Sequence, residues 1–270
     1  MHVRRLFLVG FAAAVLALAP AASASPPLPN SIAGIGDSIT RATDVCCWYG
    51  DHPAQSWSTG DGPGDGIRSH YERLLELNPD IHGHNYNDSR AGAKMRDAEG
   101  QAQAAVAQQA AYVTILMGAN DVCTRSPSTM TSVADFRAQF TAAMNTLAAG
   151  LPAESHVFVS SIPNAYKLWK LLHGDSRARF VWWAAQICQS MLSPYNTELD
   201  RRFVLAREQA FNQVLADVCG QYAICRFDGG AVFNYQFSTS HISTLDYFHP
   251  SLSGQATLAG LTWEQSWWAS

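Results

Sequence analysis

The stretch Gly34-Ile35-Gly36-Asp37-Ser38-Ile39-Thr40 follows a short apolar run, Ser31-Ile32-Ala33, of the kind that forms a buried strand. Gly34 and Gly36 have no side chain, so we expect the backbone to turn sharply there, where a larger residue would clash. Ser38 would then lie at the carboxyl end of the strand, which is where open α/β sheets bind ligands. A serine at this place is a candidate nucleophile, provided that other residues supply a base and donors for a developing oxyanion.

Patterns typical of strands and helices alternate along the rest of the chain. Residues 112–117 give the clearest strand, because Tyr-Val-Thr-Ile-Leu-Met is a continuous β-favouring run of the type that parallel sheets bury. Further strands are predicted at residues 85–89, 156–162 and 222–227. Helices are predicted at residues 67–77, 95–109, 133–149, 198–218 and 251–268. The alternation predicts an α/β fold with a doubly wound, mostly parallel sheet, whereas residues 165–203 show less regular patterns.

Residues 1–24 have the three parts of a secretory signal peptide. Arg4-Arg5 provides the positive charge, residues 6–19 are apolar, and Ala22-Ser23-Ala24 supplies small residues for cleavage at its end. A transmembrane anchor is the alternative, but the apolar run is shorter than the roughly 20 residues that span a bilayer. We therefore expect a secreted, extracellular protein whose residues 25–270 form a single domain.

The charge balance argues against a nucleic-acid partner. The whole chain has 18 Lys and Arg against 22 Asp and Glu, a formal net charge of −4 at pH 7. Removal of the predicted leader, which contains two of the arginines, makes the balance more acidic still. Binding to phosphates needs a basic surface, so we expect no nucleic acid among the partners of this protein.

Six cysteines follow the predicted cleavage site, and an even number in an exported protein indicates disulfide bonds. The six are Cys46, Cys47, Cys123, Cys188, Cys219 and Cys225. Six cysteines allow about 15 pairings, among which the sequence alone does not choose. Cys219 and Cys225 are expected to close a short loop before a strand. The adjacent Cys46 and Cys47 would form a strained vicinal bridge or bond to separate partners. The spacings do not fit a zinc site.

A base for Ser38 is found late in the sequence, in Leu245-Asp246-Tyr247-Phe248-His249-Pro250. Asp246 and His249 are three residues apart, so one turn can bring carboxylate and imidazole together. The carboxylate would hold one ring nitrogen as a donor and leave the other to accept the serine proton. In a working site the serine oxygen and the free nitrogen lie roughly 2.6–3.2 Å apart. The alternative is a surface Asp and His beside a proline that starts a helix.

Four blocks of the sequence resemble the GDSL, or SGNH, hydrolase family. Gly36-Asp37-Ser38-Ile39 is similar to the first block, with Ile in place of the usual Leu. Gly92, within Ser89-Arg90-Ala91-Gly92, is at the position of the glycine of the second block. Gly118-Ala119-Asn120-Asp121 resembles the third block, and residues 246–250 resemble the last. The blocks occur in the family's order and span nearly all of the mature chain, and matching context strengthens such motifs.

The resemblance implies a three-layer α/β/α fold of the flavodoxin-like type and a role for each matched residue. Ser38 would be the nucleophile, His249 the general base and then the acid, and Asp246 the carboxylate that orients the histidine. The N–H groups of Ser38 and Gly92, with the side-chain amide of Asn120, would form the oxyanion hole. The implied enzyme is a carboxylic ester hydrolase that uses no metal and no other cofactor.

Two longer stretches, residues 115–123 and 246–254, resemble the phospholipase B-like branch of this family. In that branch a cysteine after the Asn-Asp pair bonds to one further along, which implies a bond between Cys123 and Cys188. The branch also implies phospholipids or other lipid acyl esters as substrates and transient contact with a lipid surface, and we expect a monomer. Residues 169–185 would then form an apolar lip that meets lipid, although their tryptophans are equally well explained as buried core.

Two other functions are compatible with the same motifs. A carbohydrate O-acetyl esterase would use the same catalytic residues, with Trp48, Tyr49 and Trp57 as a platform on which sugars stack. The second alternative is a non-catalytic secreted binding protein on the same fold. The complete set of catalytic residue types argues against that alternative.

Overall fold

A five-stranded parallel sheet lies at the centre of the part of the chain that the computed structural model describes, which is residue 2 and residues 25–269. The strands are β1 (Ile32–Gly36), β2 (Asn85–Asn87), β3 (Tyr112–Leu116), β4 (His156–Val159) and β5 (Cys225–Phe227). Their order in the sheet is β2-β1-β3-β4-β5, and all neighbouring pairs are parallel. This order is that of flavodoxin-like sheets, and the predicted α/β fold is confirmed. The predicted signal peptide lies outside the described residues, apart from residue 2, and stays a prediction.

The central strands β1 and β3 are buried on both faces because both faces of the sheet are covered there. All five residues of β3 are buried, and β1 pairs with β3 along its whole length. Ala33 and Ile35 of β1 belong to the larger part of the core, while Ile32 belongs to a second cluster on the opposite face. Successive side chains of a strand point to opposite faces, which accounts for this division.

Helices pack on both faces and give the three-layer arrangement. The helices within residues 25–269 are α1 (His70–Leu77), α2 (Ala98–Ala107), α3 (Ala119–Val122), α4 (Val133–Gly150), α5 (Ala165–Leu172), α6 (Ser176–Ala184), α7 (Gln189–Leu192), α8 (Glu198–Cys219), α9 (Ala231–Asn234) and α10 (Leu252–Trp263). On one face Phe136 of α4 stacks on Phe211 of α8, with ring centroids 3.9 Å apart. On the other face Leu74 of α1 and Trp263 of α10 pack against the sheet. None of these helices is long and apolar enough to span a bilayer.

Gly34 and Gly36 lie inside β1, so the predicted sharp turn at these two residues is wrong. Close packing, not a bend, requires Gly36. A Cβ atom on Gly36 would lie 2.4 Å from Oγ1 of Thr40 and 2.7 Å from the carbonyl oxygen of Leu116. The chain turns only after the strand, and Ser38 therefore still follows its carboxyl end.

Two other predicted elements differ from the structure for local reasons. The helix predicted from residue 67 begins at His70, because Ser69 caps it. The Ser69 hydroxyl accepts a hydrogen bond from the N–H of Glu72 at 3.0 Å, and the Glu72 carboxylate accepts one from the N–H of Ser69 at 2.9 Å. The stretch that looked irregular contains α5, α6 and α7, which have 8, 9 and 4 residues. Helices this short complete too few turns for a clear hydrophobic period.

Two disulfide bonds join distant and local parts of the described chain. Cys123–Cys188 links the end of α3 to the start of α7. Cys219–Cys225 closes the turn between α8 and β5. The first bond ties the loop after β3 to the helices that follow β4, and the second fixes the entry to the edge strand.

Cys46 and Cys47 are free thiols, so the expectation that they bridge each other or bond to other cysteines is wrong. The other four cysteines are already paired with one another. Adjacent residues have Cα atoms about 3.8 Å apart across a trans peptide, which is shorter than the usual span of a disulfide. A bridge between neighbours would therefore strain the backbone.

Candidate active site

Ser38 lies just beyond the carboxyl end of β1, at the point where the strand order changes direction. β2 lies on one side of β1 and β3 on the other, and open α/β sheets bind ligands in the crevice at this point. The Asp37 carboxylate accepts a hydrogen bond from the N–H of Ile39 at 3.0 Å and so shapes the turn. The Gln101 side chain accepts from the N–H of Gly36 at 2.8 Å and donates to its carbonyl at 3.0 Å. These contacts hold Ser38 at the edge of the sheet with 7% of its surface exposed.

His249 reaches Ser38 from the loop that precedes α10. Its Nε2 atom lies 2.8 Å from Oγ of Ser38, within the range expected for proton transfer. Its Nδ1 atom is hydrogen-bonded to one oxygen of Asp246. The other oxygen of Asp246 accepts from the N–H groups of Phe248 and His249 at 2.9 and 3.0 Å. The structure thus brings together three residues that the sequence analysis selected, although Ser38 and His249 are 211 positions apart.

The loop of residues 245–250, called the histidine loop below, is held by contacts that the sequence analysis missed. The Tyr49 hydroxyl donates to the carbonyl of Leu245 at 3.0 Å. The Trp182 indole N–H donates to the carbonyl of Tyr247 at 3.0 Å. These pairs are 196 and 65 positions apart in the chain, so no local pattern could have indicated them.

The surroundings of His249 raise the pKa of its imidazole above the usual value. Burial by itself would lower this pKa, since it favours the neutral ring. The hydrogen bond from His249 to Asp246 and the charge of Asp246 raise the pKa, and the charges of Asp44 and Asp37 raise it further. Together these effects outweigh burial. Burial likewise opposes ionisation of Asp246, but hydrogen bonds and the histidine keep the pKa of this carboxyl below its usual value. Burial raises the pKa of Asp37 to about 7. Asp246 thus stabilises the positive charge of the imidazolium, and the imidazole in turn stabilises the charge of the carboxylate.

Gly92 and Asn120 lie at the same edge of the sheet as Ser38. The N–H of Arg90 donates to the carbonyl of the last residue of β1 at 3.2 Å, which places the following residues beside the end of that strand. Asn120 follows β3, which pairs with β1, and neighbouring strands lie about 4.8 Å apart. The side-chain amide of Asn120 donates to the carbonyl of Ala93 at 3.0 Å. The turns that carry Gly92 and Asn120 are therefore joined directly to each other.

Three N–H donors at this edge are available to a ligand. The backbone N–H groups of Ser38 and Gly92 have no acceptor among residues 25–269. Gly92 has a φ of +78°, a conformation that favours glycine. The Asn120 amide has a second hydrogen besides the one that it donates to the neighbouring turn. Such a set of uncommitted donors suits an oxygen that acquires negative charge.

An apolar pocket with a cavity volume of about 70 Å³ opens near these groups. Its wall includes Ile39, Ala119 and Phe248, each of which is next in the chain to one of the site residues described above. Most of the other lining side chains are also apolar, among them Val122, Leu168, Leu171, Phe237 and Leu258. The pocket is therefore an apolar space whose wall includes the chain neighbours of Ser38, Asn120 and His249.

One carboxyl group, that of Glu208, lines this pocket. Its side chain is fully buried, and both of its oxygens accept from the N–H of Ala165, at 3.2 and 3.3 Å. Burial raises the pKa of Glu208 to about 8, so the group is mostly neutral at pH 7. The ammonium of Lys167 donates to the carbonyl of Asn234 at 2.6 Å. Glu208 therefore adds little negative charge to the pocket, whose lining also includes the ammonium group of Lys167.

Exposed aromatic side chains are carried by two elements that contact the histidine loop. Trp48 and Tyr49, on the loop after β1, are 66% and 68% exposed. On α6, Phe180 and Trp183 are 64% and 49% exposed, whereas Trp182 is buried against the histidine loop. The stretch predicted either as an apolar lip or as core thus contains both buried and exposed aromatic residues.

Asp44, Asp246 and His249 form the one group of three candidate metal ligands among the residues that the structure describes, with ligand atoms within 4.8 Å of one another. Both ring nitrogens of His249 are already hydrogen-bonded, one to Ser38 and one to Asp246. A metal would have to displace one of these bonds. That the reaction needs neither a metal nor another cofactor stays a prediction.

A serine, a histidine and an aspartate at the carboxyl edge of a parallel α/β sheet are the arrangement that many serine hydrolases share. A family model described as GDSL-like lipase/acylhydrolase matches residues 32–261, which is most of the chain. The chain belongs to the GDSL-like lipase/acylhydrolase family, and the resemblance seen in the sequence is confirmed. The protein is accordingly a carboxylic ester hydrolase.

Solved structures with a similar fold come from the same class of proteins. An acetyl xylan esterase is 15% identical, with a TM-score of 0.52, and the match covers 87% of this chain and 98% of that chain. A protein of Parabacteroides merdae described as a GDSL-like lipase is also 15% identical, with a TM-score of 0.50, covering 87% of this chain and 94% of that chain. Because the sequence identities are this low, the two comparisons show only that the folds are similar. No curated protein matches the chain.

Proposed function

We propose that this protein is a secreted serine esterase that hydrolyses acyl esters of lipids, with Ser38 as the nucleophile. The observation that carries the proposal is the apolar pocket beside Ser38. An ester whose acyl chain enters this pocket would present its carbonyl carbon to the serine oxygen. Binding would remove the apolar surfaces of the acyl chain and of the pocket from water, which is favourable. The mostly neutral Glu208 would not oppose this binding.

The first half of the reaction forms an acyl-enzyme. Oγ of Ser38 attacks the ester carbonyl while its proton passes to Nε2 of His249, and Asp246 stabilises the resulting imidazolium. The negative charge on the carbonyl oxygen is met by the N–H groups of Ser38 and Gly92 and by the amide of Asn120. His249 then gives its proton to the leaving alcohol, and the C–O bond to the alcohol breaks.

The second half releases the acid. A water molecule gives a proton to His249 and attacks the acyl carbon of the ester on Ser38. The proton then returns to the serine oxygen as the C–O bond to the enzyme breaks. No step needs an electron acceptor or a metal ion.

The apolar lining of the pocket favours acyl chains longer than acetyl. Each methylene buried contributes about 0.8 kcal/mol, so an octanoyl chain would gain at most about 5 kcal/mol over an acetyl group. An acetyl group would contact only a small part of this apolar lining. This difference supports a lipid rather than an acetylated glycan as the substrate.

Contact with a lipid surface is part of the proposal and rests on α6. Phe180 and Trp183 present exposed aromatic surface there, and Trp182 ties the helix to the histidine loop. Aromatic side chains favour the boundary between water and lipid headgroups. A monomer could therefore bring the mouth of its site to a bilayer without a separate docking domain.

Secretion is supported by two independent features. Residues 1–24 have the composition of a signal peptide, and the Cys123–Cys188 and Cys219–Cys225 bonds suit an oxidising compartment. N-terminal sequencing of the protein from the medium of an expressing bacterium tests this. The expected first residue is Ser25, whereas protein that stays in the cell with an intact leader would contradict secretion.

A carbohydrate O-acetyl esterase is the second candidate, and the exposed Trp48 and Tyr49 favour it. Both are at the loop that contacts the histidine loop, and a pyranose ring can stack on such side chains. Trp57, the third residue of the predicted platform, is fully buried and hydrogen-bonded to Thr40, so it cannot take part. The platform is therefore smaller than the sequence predicted.

A chain-length series tests the proposed substrate. We expect kcat/KM for p-nitrophenyl esters to rise from acetyl to octanoyl, and release of fatty acid from phosphatidylcholine to exceed release of acetate from acetyl-xylan. Leu168→Trp, which fills the pocket, should lower the rate for octanoyl but not for acetyl esters. Leu77→Trp, on an exposed position of α1, is the matched control and should change neither. Highest activity on acetyl esters and acetyl-xylan would contradict the lipid assignment in favour of the second candidate.

Two variants test the nucleophile and the lipid surface separately. Ser38→Ala should abolish hydrolysis of every ester and prevent labelling by a fluorophosphonate, while the protein keeps its melting temperature. Phe180→Ser combined with Trp183→Ser should reduce sedimentation with phosphatidylcholine vesicles but leave hydrolysis of a soluble ester intact. Unchanged vesicle binding by the double variant would refute the proposed role of α6.

A further inference from the structure

A second carboxyl group, that of Asp44, lies beside the pair formed by His249 and Asp246. One oxygen of each carboxylate and one ring nitrogen of His249 are all within 4.8 Å of one another. Asp44 belongs to none of the sequence blocks that indicated the active site, and the reaction described above does not use it.

The backbone around Asp44 holds its carboxylate in this position. Its φ is +54°, in the left-handed region that residues with a side chain rarely adopt. Its N–H donates to the carbonyl of Gly50 at 2.8 Å, and its carboxylate accepts from the N–H of Gly50 at 2.7 Å. The carbonyl of Asp44 accepts from the hydroxyl of Ser243, whose N–H donates to the carbonyl of His249 at 2.8 Å. The loop of residues 44–50 is thus attached to the histidine loop itself.

Three carboxyl groups from three elements act to raise the pKa of the His249 imidazole. Asp246 belongs to the histidine loop, Asp37 to the turn after β1, and Asp44 to the loop of residues 44–50. Burial raises the pKa of Asp37 to about 7, so this group is only partly charged at neutral pH. Burial also raises the pKa of Asp44, and the nearby Asp246 adds to the effect. Asp44 is only half-buried, however, and the hydrogen bond from the N–H of Gly50 and the charge of His249 act to lower its pKa.

We propose that Asp44 is a positioning residue that acts through His249, by stabilising the imidazolium that forms when His249 takes the proton of Ser38. This inference rests on the catalytic role proposed for His249. When the proton moves from Oγ of Ser38 to Nε2, the ring becomes positive between the carboxylates of Asp246 and Asp44. Loss of the charge on Asp44 makes His249 a weaker base and leaves the imidazolium less stable.

Asp44→Asn is the informative variant, because it removes the charge and keeps an oxygen that can accept from Gly50. The acid limb of the profile of kcat/KM against pH reports the pKa of His249 in the free enzyme. We expect this limb to move to lower pH by about 0.5–1 unit, the range for a charge a few Å away at a partly solvated site. The plateau of kcat/KM should fall roughly 3- to 10-fold, because a pKa change of about 0.5–1 unit is the same factor in the equilibrium constant for protonation of His249.

Asp51→Asn is the matched control, since it removes one charge from the same region of the chain. Asp51 pairs with Arg41 at 3.2 Å and is not among the groups that raise the pKa of His249. We expect its acid limb and plateau to equal those of the wild type. p-Nitrophenyl butyrate, a soluble substrate, keeps lipid preference out of the comparison.

Each outcome decides a separate point. An acid limb that stays in place in folded Asp44→Asn overturns the proposal even if the rate falls, because a merely structural role lowers the rate without moving the limb. An equal shift in Asp51→Asn overturns it as well, as an effect of net charge. If Asp44→Asn does not fold, Asp44→Ser replaces it, since a serine hydroxyl can also accept from Gly50. A wild-type profile without an acid limb, or an active His249→Ala variant, would refute the catalytic role of His249 itself.

Discussion

Replacement of Asp246 by Asn tests what the carboxylate contributes, because the shape is kept and one acceptor is lost. In the native protein one oxygen of Asp246 accepts from the N–H groups of Phe248 and His249, at 2.9 and 3.0 Å, and the other is bonded to Nδ1 of His249. An Asn side chain has a single oxygen, so if it keeps the backbone bonds its NH₂ group faces Nδ1. His249 must then carry its proton on Nε2, the atom that has to accept the proton of Ser38.

The expected loss of activity follows from this wrong tautomer. Serine hydrolases in which the histidine is held in the wrong tautomer lose on the order of 10⁴ in kcat. That loss corresponds to about 5.4 kcal/mol of transition-state stabilisation. The opposite orientation of the amide would set its NH₂ group against two backbone N–H groups, at a cost of about 1–3 kcal/mol in stability for each donor left unpaired. The variant therefore cannot keep both its rate and its stability.

The assay combines kcat for p-nitrophenyl butyrate with thermal unfolding followed by circular dichroism. Asp228→Asn is the control, because Asp228 is also buried in a turn and accepts from the N–H groups of Gly230 and Val232, at 2.8 and 3.2 Å. It has no contact with His249 among the hydrogen bonds of residues 25–269, so we expect lower stability and an unchanged rate. An Asp246→Asn enzyme with more than about a tenth of the wild-type rate and an unchanged melting temperature would refute the reasoning.

Three further results are expected. Activity should fall as the pH decreases through the pKa of His249, because the protonated ring cannot act as a base. The neighbouring carboxylates raise this pKa above its usual value. A rate that stays flat down to about pH 4 would contradict the role of His249 as a base. Glu208→Gln should raise the melting temperature at about pH 8.5 but not at about pH 5. The pKa of Glu208 is about 8 in the folded protein, against an ordinary value of 4.5. The native state therefore loses stability as the pH rises from 4.5 to about 8, by at most about 5 kcal/mol. The Gln variant escapes this loss because its side chain does not ionise. The same change in melting temperature at both pH values would show that packing, not ionisation, is responsible. Cys123→Ser combined with Cys188→Ser should lower the free energy of unfolding in urea by about 2–4 kcal/mol. The control, Cys46→Ser combined with Cys47→Ser, should leave this free energy unchanged. Equal effects of the two double variants would argue against a stabilising bond.

Much of the fold could be predicted because strands and long helices depend on neighbouring residues. The strand predicted at residues 112–117 is observed as Tyr112–Leu116, and the helix predicted at 198–218 as Glu198–Cys219. A continuous β-favouring run and a helix of 22 residues each contain enough periods to be recognised locally. The candidate site residues were also selected from local patterns, because each matched block is only a few residues long.

The errors arose where distant contacts outweigh local preference. Gly34 and Gly36 were expected to bend the chain, but both lie within a strand, and at Gly36 the Leu116 carbonyl of β3 and the side chain of Thr40 leave no room for a Cβ atom. Cys46 and Cys47 were expected to bond, but the other four cysteines pair with one another, two of them across 65 positions of the chain. In both cases the surroundings that decided the outcome are not adjacent in the sequence.

The sequence by itself determined which chemical groups the protein has, the order of its strands and helices, and the family to which it belongs. Only the tertiary structure decided that His249 lies 2.8 Å from Ser38, that an apolar pocket adjoins them, and that Asp44 supplies a second carboxylate. Contacts such as that between Ser243 and Asp44, 199 positions apart, result from packing the whole sheet and its helices. The free energy of that packing is shared among many side chains, so no short stretch of sequence contains the information that places them.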